Sequence, residues 1–293
     1  MDLAGKQVLI TGAARGIGAT TARDLAARGA RLALVGLEPE RLQALAGELG
    51  TGHTWATADV TDGAELDAAV ASSVEVLGGL DVVVANAGIA SFGTVRTIDP
   101  EAFARTVDVN LTGVFRTVRA TLPHLIDSRG YVLVVSSMAA LVPTMGFSAY
   151  GASKAGVEAF ADALRIEVAH LGVSVGCAHM SWIDTDMVRD AEQDLTAFRT
   201  MRQRLPWPMH STTSVEECSA AFMRAIERRS RRVNVPRAVG LHHWIRPVVH
   251  SRLVDVVLAR STSGVLPRLE TETAALGRSV SEKVAALRPA RKG

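Results

Sequence analysis

Tyr150 and Lys154 stand four residues apart in Tyr-Gly-Ala-Ser-Lys, where helical periodicity begins. On a helix this spacing places a phenol and an ammonium on one face. A nearby cation favours phenolate over phenol, so Lys154 is expected to lower the Tyr150 pKa from its ordinary value near ~10 towards the range where proton transfer is useful. The pair is a candidate general acid/base. Nearer the amino terminus, Gln7-Val-Leu-Ile-Thr11 reads as a short buried strand running into Gly12-Ala-Ala-Arg15-Gly16-Ile17-Gly18. Glycines let the backbone turn sharply and approach a ligand closely, and the helix start that follows offers unpaired N–H groups and a positive dipole end. A strand, a glycine turn and a helix start in that order suit a diphosphate. The spacing is G-x-x-x-G-x-G, distinct from the G-x-G-x-x-G fingerprint.

Bringing these distant groups together requires a scaffold with one functional edge. Strand-like and helix-like segments alternate along the chain, the signature of parallel βαβ units in an α/β fold. Strands are expected at 8–11, 31–35, 54–58, 82–85, 131–136, 173–178 and 232–235, mostly continuous apolar runs as in a sheet covered on both faces. Helices are expected at 17–28, 39–49, 64–77, 100–126, 150–170 and 215–229. In such a sheet a ligand belongs at the carboxyl ends of the strands, where the glycine turn, Asp59, Asn86, Ser137 and the segment after Ala178 fall. A chain of 293 residues with 48% hydrophobic content can bury a substantial core. Its net charge of +2 is too mild to imply nucleic acid. Cys177 and Cys218 are the only cysteines, so neither a disulfide framework nor a metal site is indicated. The start lacks a basic-then-apolar leader and no apolar run reaches membrane-spanning length, so a cytoplasmic protein is expected.

Four further signatures accompany the two motifs. Asp59-Val60 follows the third strand, Asn86-Ala87-Gly88 closes the fourth, Asn110 sits in Val-Asn-Leu-Thr-Gly, and Ser136-Ser137 ends the fifth. In the order and spacing of all six, the chain resembles the short-chain dehydrogenase/reductase family over roughly residues 3 to 235. The resemblance implies a three-layer, doubly wound, Rossmann-type fold with seven parallel strands. Residues 1–236 would form one domain with a substrate lid at about 185–210, and 237–293 a helical C-terminal extension. It also implies an NAD(P)-dependent oxidoreductase interconverting a ketone and a secondary alcohol. Tyr150 would donate the proton in reduction and its phenolate accept it in oxidation, while Lys154 would also bind the nicotinamide ribose. Ser137, 13 residues before Tyr150, would hold the substrate oxygen, and Asn110 would complete a tetrad by fixing a water that links Lys154 to solvent. Ser136 is the rival of Ser137; neighbours on a strand face opposite sides, so only one can point at the cofactor. Gly12, Gly16, Ile17 and Gly18 would cradle the diphosphate, Asp59 and Val60 would flank the adenine, and Asn86, Ala87 and Gly88 would lie near the adenosine ribose.

The chain departs from the family pattern in two places. NAD-preferring relatives carry Asp where Gly36 ends the second strand; Glu38 lies two residues further on, while Arg15 occupies a place where NADP-preferring relatives carry a basic residue. The balance favours NADP(H) over NAD(H). After the sixth strand, Met180-Ser181 replaces Pro-Gly; Thr185 keeps its place as the nicotinamide contact, with Ile183 in a backbone role. His179, at that strand's end, is expected to be a hydrogen-bonded structural residue. Segments expected to line the substrate pocket, including Phe92, Met138–Phe147, Met180–Met187 and the stretch to Trp207, are rich in apolar side chains and favour an apolar substrate, steroid-like or lipid-like. The competing classes are a catalytically idle dinucleotide sensor or scaffold, which loss of catalytic groups would mark, and an epimerase or dehydratase on the same fold. A homodimer or homotetramer is expected through the helices from Pro100 and Tyr150, the second exposing Val157, Phe160, Leu164 and Val168. Beyond Pro236 the sequence mixes apolar residues with His and Arg. It is read as a flap over the substrate entrance, with peripheral membrane contact as the alternative, and with disorder only at Arg288–Gly293.

Overall fold

Strands that are apolar on both sides can only be placed between two layers of helices, and this fixes the centre of the molecule. The computed structural model describes residues 1–205 and 210–287, so Trp207, the end of the expected lid and Arg288–Gly293 lie outside the described residues. The strands are β1 (Gln7–Thr11), β2 (Arg31–Gly36), β3 (Thr54–Thr57), β4 (Val82–Ala85), β5 (Tyr131–Val135), β6 (Ser174–Met180), β7 (Trp182–Ile183), β8 (Thr212–Thr213) and β9 (Arg232–Val235). Seven of them form one all-parallel sheet in the order β3-β2-β1-β4-β5-β6-β9, while β7 and β8 pair separately. β6 runs two residues further than its apolar run suggests, because His179 and Met180 pair with Asn234 and Val235.

Alternation along the strands divides the core. Val8, Ile10, Leu32, Leu34 and Leu133 face the helices Gly16–Ala27, Pro39–Leu49 and Val215–Arg228, meeting Leu25, Leu42 and Phe222. Leu9, Val35, Val83, Val132 and Val134 face the opposite layer, Gly63–Leu77, Gly113–Ser128 and Ser148–Glu167, meeting Leu66, Leu125 and Val157. Asp62 starts one of these helices by accepting from Ala64 N at 2.9 Å and Glu65 N at 3.1 Å. The long helix expected over 100–126 is interrupted. It comprises Pro100–Val107, a π turn at Asp108–Thr112 and Gly113–Ser128, and the wider turn carries Asn110. Val157, Leu164 and Val168 are core residues, not the exposed oligomer contacts expected of them; Phe160, stacked edge-on with the half-exposed Phe115 at 6.1 Å, is what remains of that surface.

After β9 the chain forms the helices His242–Val249, Arg252–Thr262, Leu266–Leu276 and Glu282–Ala286. Leu266–Leu276 packs onto the helices Asp186–Asp194 and Thr196–Gln203, with Phe92, Phe147, Leu195, Phe198, Val265 and Leu269 forming a shared apolar cluster. Among the described residues no helix is long and apolar enough to cross a membrane.

Tyr131 crosses beneath β6 to donate to Ser230 O at 2.8 Å, and Gly176 leaves its hydroxyl room, since a Cβ there would overlap it. Gly176→Ala should cost roughly 3 kcal/mol through overpacking. Gly47 sits in the helix Pro39–Leu49 with open space around its missing side chain, so Gly47→Ala should stabilise by about 0.5–1 kcal/mol. Thermal melts should therefore move in opposite directions, and a Gly176→Ala protein melting with the wild type would contradict the packing described.

Candidate active site

The sheet order turns at β1, whose neighbours β2 and β4 lead the chain away in opposite directions, and a crevice opens at the carboxyl ends there. It is a cleft of about 580 Å³. Gly12 and Gly16 hold φ of 66° and 56°, in the left-handed region that favours glycine. A Cβ on Gly12 would stand 2.9 Å from Ala87 Cα, and one on Gly18 would overlap the Gly12 carbonyl oxygen. Asn86 locks this turn to β4, its Nδ2 donating to Thr11 O at 3.0 Å and Gly12 O at 3.2 Å. The helix that follows, Gly16–Ala27, has no capping side chain, so its first N–H groups keep their capacity for an anion. At the far end Asp59 is buried, with Oδ1 bound by Thr61 and Oδ2 without a hydrogen bond although Arg105 is 3.7 Å away. A glycine cradle, an uncapped helix start and an unspent carboxylate oxygen fit a dinucleotide.

Gly12, Arg15, Gly16, Ile17, Asp59 and Val60 line the cleft, as do Asn86, Ala87, Gly88, Tyr150, Lys154 and Thr185. Four expected site residues stand back from it. Gly18 lies behind the turn. Ile183 belongs to the apolar core beneath Thr185, and its carbonyl accepts from Thr185 N at 2.8 Å. Ser137 donates to Met180 O at 3.4 Å and accepts from Ala139 N at 3.1 Å, with its hydroxyl near enough to the Tyr150 phenol to favour the phenolate. Ser136 borders the cleft, but its hydroxyl is spent on Lys154 O, to which it donates at 2.9 Å. Asn110 is fully buried behind Gly88; its Oδ1 accepts from Ile89 N at 2.8 Å and its Nδ2 donates to Ile89 O at 2.9 Å and Ser153 Oγ at 3.0 Å. With both donors spent, the amide clamps the Gly88–Ile89 backbone to the catalytic helix.

Contacts between residues far apart in the sequence complete the site. Glu38 accepts from Arg15 Nε at 2.9 Å and stands 3.2 Å from Arg41. Ser281, Lys283, Val284 and Leu287, from the far end of the chain, form part of the cleft wall. They are held there by Arg278, which donates twice to Asp194 at 2.7 and 2.8 Å, and by Lys283, 3.0 Å from Asp190 and 3.5 Å from Asp186. One step behind the cleft, His179 Nε2 lies 3.2 Å from Glu158 Oε1, and Arg246 from the extension lies 3.1 Å from Oε2. Burial works to raise the Glu158 carboxyl, but the bond to His179 and the charges of His179, Arg246 and His243 outweigh it and hold it low.

The expected lowering of Tyr150 by Lys154 is not what the structure has. Burial pushes the phenol up, with the neighbouring Ser137 hydroxyl opposing; Lys154 directs its ammonium to Val135 O at 2.9 Å and lies 5.7 Å from the ring centre. Burial pushes Lys154 down to about 8, and pushes the thiols of Cys177 and Cys218 up to about 12. An unfolded lysine, with a pKa near ~10.4, binds more protons than the folded one between about pH 8 and 10.5, so this group's contribution to stability rises with pH across that window. Lys154→Met removes that rise. Urea unfolding should show the wild type gaining on the variant by about 3 kcal/mol from the lower to the upper end of the window; parallel pH profiles would refute the buried ammonium.

Known proteins share this architecture. A family model described as short chain dehydrogenase matches residues 6–196. A 3-alpha-(or 20-beta)-hydroxysteroid dehydrogenase of Mycobacterium tuberculosis is 33% identical over 214 residues, 73% of this chain and 82% of that protein. The 2,3-dihydro-2,3-dihydroxybenzoate dehydrogenase of Bacillus subtilis is 35% identical over 187 residues, 62% of this chain and 72% of that protein. Among solved structures, 3-ketoacyl-(acyl-carrier-protein) reductase from Brucella melitensis complexed with NADH superposes with a TM-score of 0.72 at 28% identity, covering 80% of this chain and 97% of that one. The chain belongs to the short-chain dehydrogenase family and is an oxidoreductase of the CH–OH/C=O pair that works with NAD(H) or NADP(H).

Proposed function

We propose that the protein interconverts an apolar ketone and its secondary alcohol, with Tyr150 as the general acid/base. The observation that carries this is the placement of Tyr150 beside the buried Lys154 ammonium, 5.7 Å from its ring centre, both in the wall of a cleft that fits a dinucleotide. A nicotinamide cofactor held along Gly12, Gly16, Asn86, Lys154 and Thr185 would supply hydride to the carbonyl carbon or take it up in the other direction. Negative charge then builds on the substrate oxygen, and Tyr150 delivers its hydroxyl proton there. The Ser137 hydroxyl holds that oxygen in place, and Lys154 steadies the phenolate that remains. In oxidation the same phenolate takes the proton back. The intact Asn110, Ser137, Tyr150 and Lys154 set favours turnover over an idle sensor or scaffold.

Two features support an apolar substrate. Trp182 stacks on Phe198 at 5.4 Å and Phe198 on Phe147 at 5.0 Å, giving an aromatic wall beside Tyr150. Relatives named hydroxysteroid dehydrogenase are consistent with a rigid hydrocarbon body. The helices 186–203 act as the lid, and the extension braces them through Arg278 and Lys283. Exposed Ile166 and half-exposed Phe115 support pairing of two copies through the helices that carry them. A cytoplasmic location is part of this reading.

For the cofactor, Arg15 argued for NADP(H), but its guanidinium is engaged by Glu38, which also faces Arg41. A carboxylate at the ribose end binds two hydroxyls and repels a 2′-phosphate, which supports NAD(H). Glu38→Gln should release both arginines and shift the affinity ratio towards NADPH by roughly tenfold, about one charge-assisted contact; titrations giving an unchanged ratio would remove Glu38 from this role. Tyr150→Phe should lower kcat by about 10²–10⁴ with cofactor affinity kept, whereas Lys154→Ala should damage both. Retention of most activity by Tyr150→Phe on a turned-over ketone would assign the acid elsewhere.

A further inference from the structure

We propose that the helix pair His242–Val249 and Arg252–Thr262 is an interfacial anchor that seats the protein on an anionic bilayer surface. Among the described residues, six of the twelve exposed large hydrophobic side chains fall between Leu241 and Val257: Leu241, Trp244, Val248, Leu253, Val256 and Val257. Trp244 is 85% exposed and Leu253 74%. A soluble surface scatters such residues singly, and their concentration in one short segment points to a binding surface. The first helix contains Pro247, the two are separated at His250–Ser251, and neither can cross a bilayer, so the segment suits lying in the interface plane. An amphipathic aromatic ring such as Trp244 is at home there.

Charge selects the occupant. Arg237, His250, Arg252 and Arg260 are exposed around the apolar group, and Asp255 is the sole carboxylate from 237 to 260. Anionic headgroups complement that balance. A second copy does not, because a two-fold contact through this patch would set the same arginines against each other. The first helix of the pair and the turn before it are joined to the catalytic body. Val239 packs on Met138 and Leu141, and Arg246 donates to Ala140 O at 3.3 Å, gripping the turn that follows Ser137. Seating on a membrane is independent of which substrate the cleft takes.

Full-length protein is sedimented with phosphatidylcholine vesicles, with and without phosphatidylserine, at low and high salt. It should bind the phosphatidylserine vesicles and be released by salt. Trp244→Ser with Leu253→Ser should weaken binding by about tenfold or more, reflecting lost apolar burial. Arg252→Gln with Arg260→Gln should weaken it by about tenfold or more on anionic vesicles alone. Trp55→Ser, an exposed tryptophan on β3 outside the patch, should leave binding unchanged. Melting temperature and cofactor affinity should stay at wild-type values in all three. The proposal is overturned by absence of sedimentation with either vesicle, by equal loss in the Trp55 variant, or by a dimer in light scattering that Trp244→Ser dissolves while vesicles are ignored.

Discussion

A sheet covered on both faces leaves its polar backbone nowhere to meet a ligand except at the strand ends, and the rest of this protein follows from that constraint. Leu9 and Ile10 point into opposite helical layers, so neither face of β1 is open. Thr11, Asn86, Ser136 and Ser137 are where the apolar strands stop and hydrogen-bonding side chains begin. Each is tied to a neighbouring strand end or to the helix Ser148–Glu167, as Thr11 is to Asn86 N and Ser136 to Lys154 O. The cleft is thus the rim of the core, and its geometry inherits the core's rigidity.

Burial sets the electrostatics as well as the shape. Lys154 is 3% exposed and its ammonium has a backbone carbonyl as partner where a carboxylate would neutralise it. That choice keeps the charge available to a phenolate or a ribose hydroxyl. One helical turn on, Glu158 meets the opposite need: it has His179 and Arg246 to satisfy it and is directed away from the cleft. The catalytic helix therefore separates an uncompensated cation on one side from a compensated anion on the other.

Much of this was legible in the sequence. Parallel strands announce themselves by apolar runs, and the glycine turn, Asn86, Ser137, Tyr150 and Lys154 sit at fixed offsets from those runs. What stayed hidden was long-range. Asn110 was found as a site residue, but the π turn that buries its amide depends on packing against Ile89 and Ser153. Glu38 and Arg15 are 23 residues apart and each alone argued for a different cofactor; only their contact shows that one occupies the other. Lys283 and Ser281 carry no motif, and their place in the cleft wall comes from Arg278 meeting Asp194, 84 residues earlier. The Tyr150 pKa was misjudged because spacing reports proximity to a cation and says nothing of the water that burial removes.

The two cysteines, buried and pushed to about 12, bear on how the protein ages. Oxidants and alkylating agents attack the thiolate, and a thiol with that pKa is almost entirely protonated at neutral pH. Peroxide or disulfide stress that silences enzymes with a reactive thiol near the active site finds no such handle on Cys177 or Cys218, even though Cys177 sits on the strand next to Ser136. The chemistry at Tyr150 is in this respect sheltered from oxidative damage by the same apolar packing that makes the sheet.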